Sequence, residues 1–165
     1  MAFKIKGQAA LEFLTTYGWA FLIILIMIGT LAYFGILSPS KLLPNRCNFG
    51  AELGCSDYRI AATAIAPDPA NSFRLKLKNN VGEVIDPTSI TLFREDGTTY
   101  PGCTPDAGNT ATGFATGAVR ELIWTACTTP GWVAGDKAKV LITVVYSKPG
   151  GYAQTVKGEV YSTVQ

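Results

Sequence analysis

Two patterns of apolar and polar positions divide the chain. From Phe13 to Leu37 nearly every position is apolar or small, and no charged residue occurs between Phe13 and Ser40. Apolar side chains fall on all sides of such a segment, so it is not the amphipathic helix of a soluble core. It requires lipid or other apolar helices around it. As a helix, Phe13–Leu37 would be roughly 37 Å long, enough to cross a bilayer with some tilt. Ser38-Pro39-Ser40 predicts its end, because the residue before a proline is pushed out of the helical region.

After an irregular neck over Lys41–Asp57, with Pro44, Gly50 and Gly54, the pattern changes to short strands. Arg59–Ala66 is apolar and reads as a buried strand. Ser72–Lys78 alternates, with Phe73, Leu75 and Leu77 on one face and Arg74, Lys76 and Lys78 on the other, as a half-buried strand should. Ser89–Arg94 and Thr98–Tyr100 flank the turn signal Glu95-Asp96-Gly97. Ala118–Ala126, Lys137–Tyr146 and Tyr152–Val164 complete the set, the last two joined through Lys148-Pro149-Gly150-Gly151. Spaced turns between short strands predict an antiparallel β-sandwich of immunoglobulin-like type. The expected fold class is therefore α+β: a long hydrophobic helix over residues 8–37, a neck over 38–57 and a β-sandwich head over 58–165. No internal repeat is evident.

Length and charge fit that division. A chain of 165 residues has room for the helix and one domain with a single core. It carries 14 Lys+Arg against 12 Asp+Glu, a balance that gives no basis for a nucleic-acid partner. Lys4 and Lys6 precede the apolar tract and predict a cytoplasmic N-terminus with the head outside. Tyr17 and Trp19 near one end, and Tyr33 and Phe34 near the other, suit the two membrane interfaces or bundle packing.

Cys47, Cys55, Cys103 and Cys127 all fall in the part predicted to be outside, where an even number favours disulfides with three possible connectivities. Cys47–Cys55 and Cys103–Cys127 are favoured because each joins local segments. A zinc site would need ligand spacing that is missing, and the chain contains no His. No metal or cofactor is expected.

The start of the apolar tract adds a motif. Lys6-Gly7-Gln8-Ala9-Ala10-Leu11-Glu12-Phe13 places a basic residue and a glycine directly before a glutamine, with a carboxylate five residues after the glycine. An ordinary secretory signal has a shorter core followed by a small-residue cleavage site, and Ser38–Asn45 offers none. Gly18, Gly29 and Gly35, with Thr15, Thr16, Ala20, Thr30 and Ala32, provide small residues that let helix backbones approach. The stretch Lys6–Phe13 resembles the class III signal peptide of archaeal type IV pilins, and Leu14-Thr15-Thr16-Tyr17-Gly18-Trp19-Ala20 is similar to a run that recurs in such proteins. The resemblance covers about the first 37 residues. It implies cleavage between Gly7 and Gln8 by a prepilin peptidase, so that residues 1–7 are a leader and Glu12 becomes the fifth residue of the mature chain. It further implies a homopolymer built through the N-terminal helix, with an assembly ATPase and a membrane platform protein as partners. The precursor would be a single-pass membrane protein and the mature form an extracellular filament with a role in adhesion. Two alternatives stand beside this: a binding module tethered by an uncleaved helix, and a minor pilin or archaellum-like subunit.

Other chemistry is sparse. Without His, the usual general base and its nucleophile pairs are missing, and no glycine loop lies between a strand and a helix to cradle phosphate. Trp124 and Trp132 are candidates for a sugar platform, against core packing for the first and a loop-edge role for the second. Asp96, Asp106 and Asn109 are candidate calcium ligands without a supporting loop spacing. The Gly- and Thr-rich stretch Tyr100–Gly117 reads as a long surface loop pinned by Cys103. No Asn-x-Ser/Thr sequon occurs. An enzyme is not expected.

Overall fold

The computed structural model describes residues 5–33, 43–127 and 131–165, with side chains from Leu11 onward. The chain separates into two compact units, Met1–Leu43 and Pro44–Gln165. In the first, helix α1 spans Ile5–Tyr33. It therefore starts before the expected residue 8, so the Gly7–Gln8 bond lies within helical backbone. The expected helix end at Leu37, the Pro39 stop and Lys4 lie outside the described residues.

The second unit is a sandwich of two antiparallel sheets, each of four strands. The strands are β1 (Arg46–Asn48), β2 (Leu53–Ala61), β3 (Ser72–Asn79), β4 (Asp86–Phe93), β5 (Thr104–Pro105), β6 (Val119–Thr125), β7 (Lys137–Ser147) and β8 (Ala153–Thr163). One sheet runs β1-β8-β7-β4 and the other β2-β3-β6-β5. With β1 set aside as an added edge, β2 to β8 have the neighbour order of a constant-type immunoglobulin sandwich.

Alternation along the long strands builds the core. Phe73, Leu75 and Leu77 of β3, with Leu122 and Trp124 of β6, face Val140, Ile142, Val144 and Tyr146 of β7. Each fully buried large apolar side chain contributes about 1.5–3 kcal/mol. Phe49, Ile85 and Phe114 close the rims from loops. Gly158, opposite Ile142 in β8, is where Phe49 enters: a methyl group at that position would overlap the Phe49 ring.

The structure corrects the irregular neck. Strand β1 and the first part of β2 occupy much of Lys41–Asp57, one on each sheet, and the Cys47–Cys55 disulfide links the two. A register shift between Cys55 and Asp57 breaks the alternation that would have marked β2 as a strand. Thr98–Tyr100 makes a single bridge, Phe93 to Thr99, rather than a strand of its own. Within Tyr100–Gly117 the chain forms β5 and a short 3-10 helix at Ala107–Thr110. The side-chain amide of Asn109, buried there, both donates to the Ile123 carbonyl and accepts from its N–H, each at 2.8 Å. It serves as a substitute strand residue along β6. Cys103 and Cys127, the second disulfide, tie the ends of β5 and β6 together.

Candidate assembly site

The residues of α1 set its chemistry one by one. Leu, Ile, Phe, Met and Trp side chains project around the whole circumference, and no part of Leu11–Tyr33 is buried within the structure. The hydroxyls do not interrupt this surface. Thr15 donates to the carbonyls of Leu11 and Glu12, both at 3.0 Å, and Thr16 donates to Glu12 at 2.8 Å. Thr30 donates to Met27, also at 2.8 Å. Side-chain polar groups folded back on the helix need no water, which suits an apolar surrounding.

Gly18 and Gly29 are 11 residues apart, which returns them to within about 20° of one another around the axis. Nothing lies within 4 Å of where a Cβ would be at either, so both leave open dents in the same face. Phe13 and Tyr17, one turn apart, pack as tilted rings with centroids 4.4 Å from each other. Glu12 is the one charged side chain in this exposed tract, and its backbone carbonyl is the acceptor for both Thr15 and Thr16.

No protein-family model matches the chain, and no curated protein matches it in sequence.

The other expected site residues fall into separate places. Lys6, Gly7 and Gln8 belong to the first turns of α1. The four cysteines form the two favoured disulfides, with Cα separations of 6.0 Å for Cys47–Cys55 and 3.9 Å for Cys103–Cys127. The sugar platform is not assembled: Trp124 is buried against Phe73, and Trp132, expected at a loop edge, is buried against Tyr100, each pair with centroids 5.4 Å apart. The candidate calcium ligands are engaged locally. Asp96 accepts from the Thr98 N–H and hydroxyl, Asp106 accepts from Gly108, and Asn109 holds Ile123. The Thr98 bonds hold the Asp96 carboxyl below its ordinary pKa. Among the described residues no group of His, Cys, Asp or Glu could hold a metal.

One charged cluster carries no sequence signal. Asp68, 3% exposed, comes from the loop between β2 and β3 and receives Arg59 at 2.8 Å together with the Arg74 Nε. Arg74 also reaches Glu121 at 3.3 Å, and Lys76 reaches Asp57 at 3.4 Å. These side chains line a shallow cleft of about 170 Å³ on the outer face of the sheet. The alternation of β3 predicts Arg74 and Lys76 on that face, but nothing in Ala66-Pro67-Asp68-Pro69 marks the carboxylate that anchors them. Since each cation already faces an anion, the cluster fastens the β2–β3 loop to the sheet.

Proposed function

We propose that this chain is a structural, non-catalytic subunit of an archaeal type IV pilus-like filament that waits in the membrane as a prepilin. The observation that carries the reading is α1: a helix long and apolar enough to span a bilayer, exposed on every side, preceding a head with a complete core of its own. Such a surface is stable in lipid or among copies of itself, and not in water. The Lys6-Gly7-Gln8 sequence with Glu12 behind it supplies the processing signal that the pilin resemblance implies.

In this reading a prepilin peptidase cuts between Gly7 and Gln8 and removes the basic leader holding the helix at the cytoplasmic side. Neighbouring helices then replace lipid around α1, so apolar burial is conserved between the two states. The dents at Gly18 and Gly29 favour close approach, and the internally bonded threonines enter the bundle without an unpaired donor. Glu12 loses water on assembly and is compensated by a donor from a neighbouring copy. Assembly ATPase and platform protein complete the machinery by the same resemblance, and the sandwich coats the filament.

Mass spectrometry of the exported protein tests the first step. A mature N-terminus at Gln8 is expected, and an intact leader on a dispersed membrane protein would establish the tethered module instead. Electron microscopy of sheared filaments tests the second. Glu12→Gln is expected to lower filament yield without changing the amount of membrane-inserted precursor, and an unchanged yield removes Glu12 from the mechanism.

A further inference from the structure

Helix α1 begins at Ile5, so the Gly7–Gln8 bond proposed for cleavage lies inside its first turn. In an α-helix each carbonyl accepts from the N–H four residues on, which engages the Gly7 carbonyl with the Leu11 N–H. Hydrolysis adds water to the Gly7 carbonyl carbon and breaks its bond to the Gln8 nitrogen. The water oxygen stays in the Gly7 carboxylate, and both water protons end on the Gln8 amine. A carbonyl wrapped in its own helical turn does not admit that approach, and proteolysis acts on the locally opened chain.

The start of α1 is weak, and the residues directly after it are strong. Its first turn holds no acidic residue. Lys6 instead places a positive charge at the positive end of the helix dipole. Gly7 follows, the poorest helix former other than proline. After the Gly7–Gln8 bond come Ala9 and Ala10, the residue type that favours helix most, and then Leu11. From Phe13 to Ser40 there is no charged residue, and a backbone group released within that apolar tract would meet no water. Opening is thus confined to the stretch before Phe13, and within it Ala9 and Ala10 resist most.

We infer that Ala9 and Ala10 are positioning residues for processing: they hold the Gly7–Gln8 bond in helix and set how often it unwinds to be cut. The inference rests on the proposed cleavage and adds the step that precedes it. The precursor then sets the pace of its own maturation, because the helix that anchors it in lipid also shields its leader from early removal.

The test follows the full-length precursor, dilute in membranes that contain a prepilin peptidase, where the rate tracks the population of the open form. Mass spectrometry counts the chains that begin at Gln8 over time. Ala9→Gly and Ala10→Gly are each expected to raise the initial rate about fivefold, the factor by which glycine favours an open helix over alanine. Ala20→Gly, the same change deep in the apolar tract, is expected to leave the rate at the wild-type value. Amide exchange on the uncut precursor reads the opening itself, and the Ala9 and Ala10 variants are expected to speed exchange at residues 8–11 by a similar factor. Cleavage that stays at or below the wild-type rate in these variants overturns the inference. So does exchange that they leave unchanged, or an Ala20→Gly chain that is cut as fast as they are. A wild-type precursor that is never cut overturns the processing reading and this inference with it. A precursor that is cut at a rate indifferent to Ala9 and Ala10 leaves processing standing and removes the inference alone.

Discussion

At the scale of single residues, the head depends on a few positions where one atom decides the packing. Gly158 is the clearest. The Phe49 ring occupies the space a side chain would take, and both residues are buried, so neither can move into solvent. Gly158→Ala is expected to destabilise the head by about 1–3 kcal/mol, the usual cost of overpacking. A urea titration reads this as a lower midpoint, and adding Phe49→Leu is expected to recover part of it. Tyr146 is the second such position. Its ring is fully buried, and its hydroxyl donates to Glu52 at 3.1 Å, with Gln154 Oε1 also 3.1 Å away. Burial, reinforced by Glu52, raises its pKa above the ordinary phenol value. The folded protein thus holds the phenolic proton more tightly than the unfolded chain does. The resulting stability is complete below about pH 10, the unfolded value, and is lost as pH rises through the folded one. Thermal melts between pH 8 and 12 are expected to show this fall, and Tyr146→Phe to make it shallower.

At the scale of elements, the disulfides do different work from what their sequence separation suggests. Cys47–Cys55 spans a separation of 8 yet joins strands on opposite sheets, closing the sandwich where the chain crosses from β1 to β2. Cys103–Cys127 spans 24 and stays within one sheet, tying the ends of β5 and β6. The chain-entropy model gives about 2–3 kcal/mol for the shorter loop and about 3–4 kcal/mol for the longer. Paired Cys→Ala replacements measured by urea unfolding are expected to follow that order. An inverted order would mean that sheet-to-sheet crosslinking outweighs loop length. The long strands were legible because one face of each is apolar: β3, β6, β7 and β8 all stand within a residue or two of where alternation places them. Strand β1 was not, because three residues beside Pro44 and Gly50 carry no period. Strand β2 was half legible, since its shift at Cys55/Asp57 changes which residues face inward. Trp132 follows Gly131 and reads as loop edge, yet its contact with Tyr100 is a tertiary fact that no local pattern contains.

At the scale of the whole molecule, the apolar tract and the head obey separate physics, and the sequence shows the first far better than the second. A run of oily residues is a one-dimensional property, so α1 and its need for an apolar surrounding can be read directly. Which strand neighbours which is not, because the β3–β6, β4–β7 and β1–β8 neighbourships join segments far apart in the chain. The separation itself is testable. Among the described residues every member of the buried core lies between Phe49 and Val164, and the described side chains of α1 contribute none of them. Both disulfides and the Asp68 cluster also fall inside Pro44–Gln165. Removing residues 1–43 should then leave folding stability unchanged while removing the surface that requires lipid. The fragment 44–165 is expected to be soluble without detergent and to melt within about 3 °C of the full chain, a difference below ~1 kcal/mol for a domain of this size. It is also expected to form no filaments under conditions in which the processed chain assembles. A fragment that melts more than about 10 °C lower would correspond to more than ~2 kcal/mol and would make α1 part of the head's fold. A fragment that still polymerises would move assembly from the helix to the sandwich.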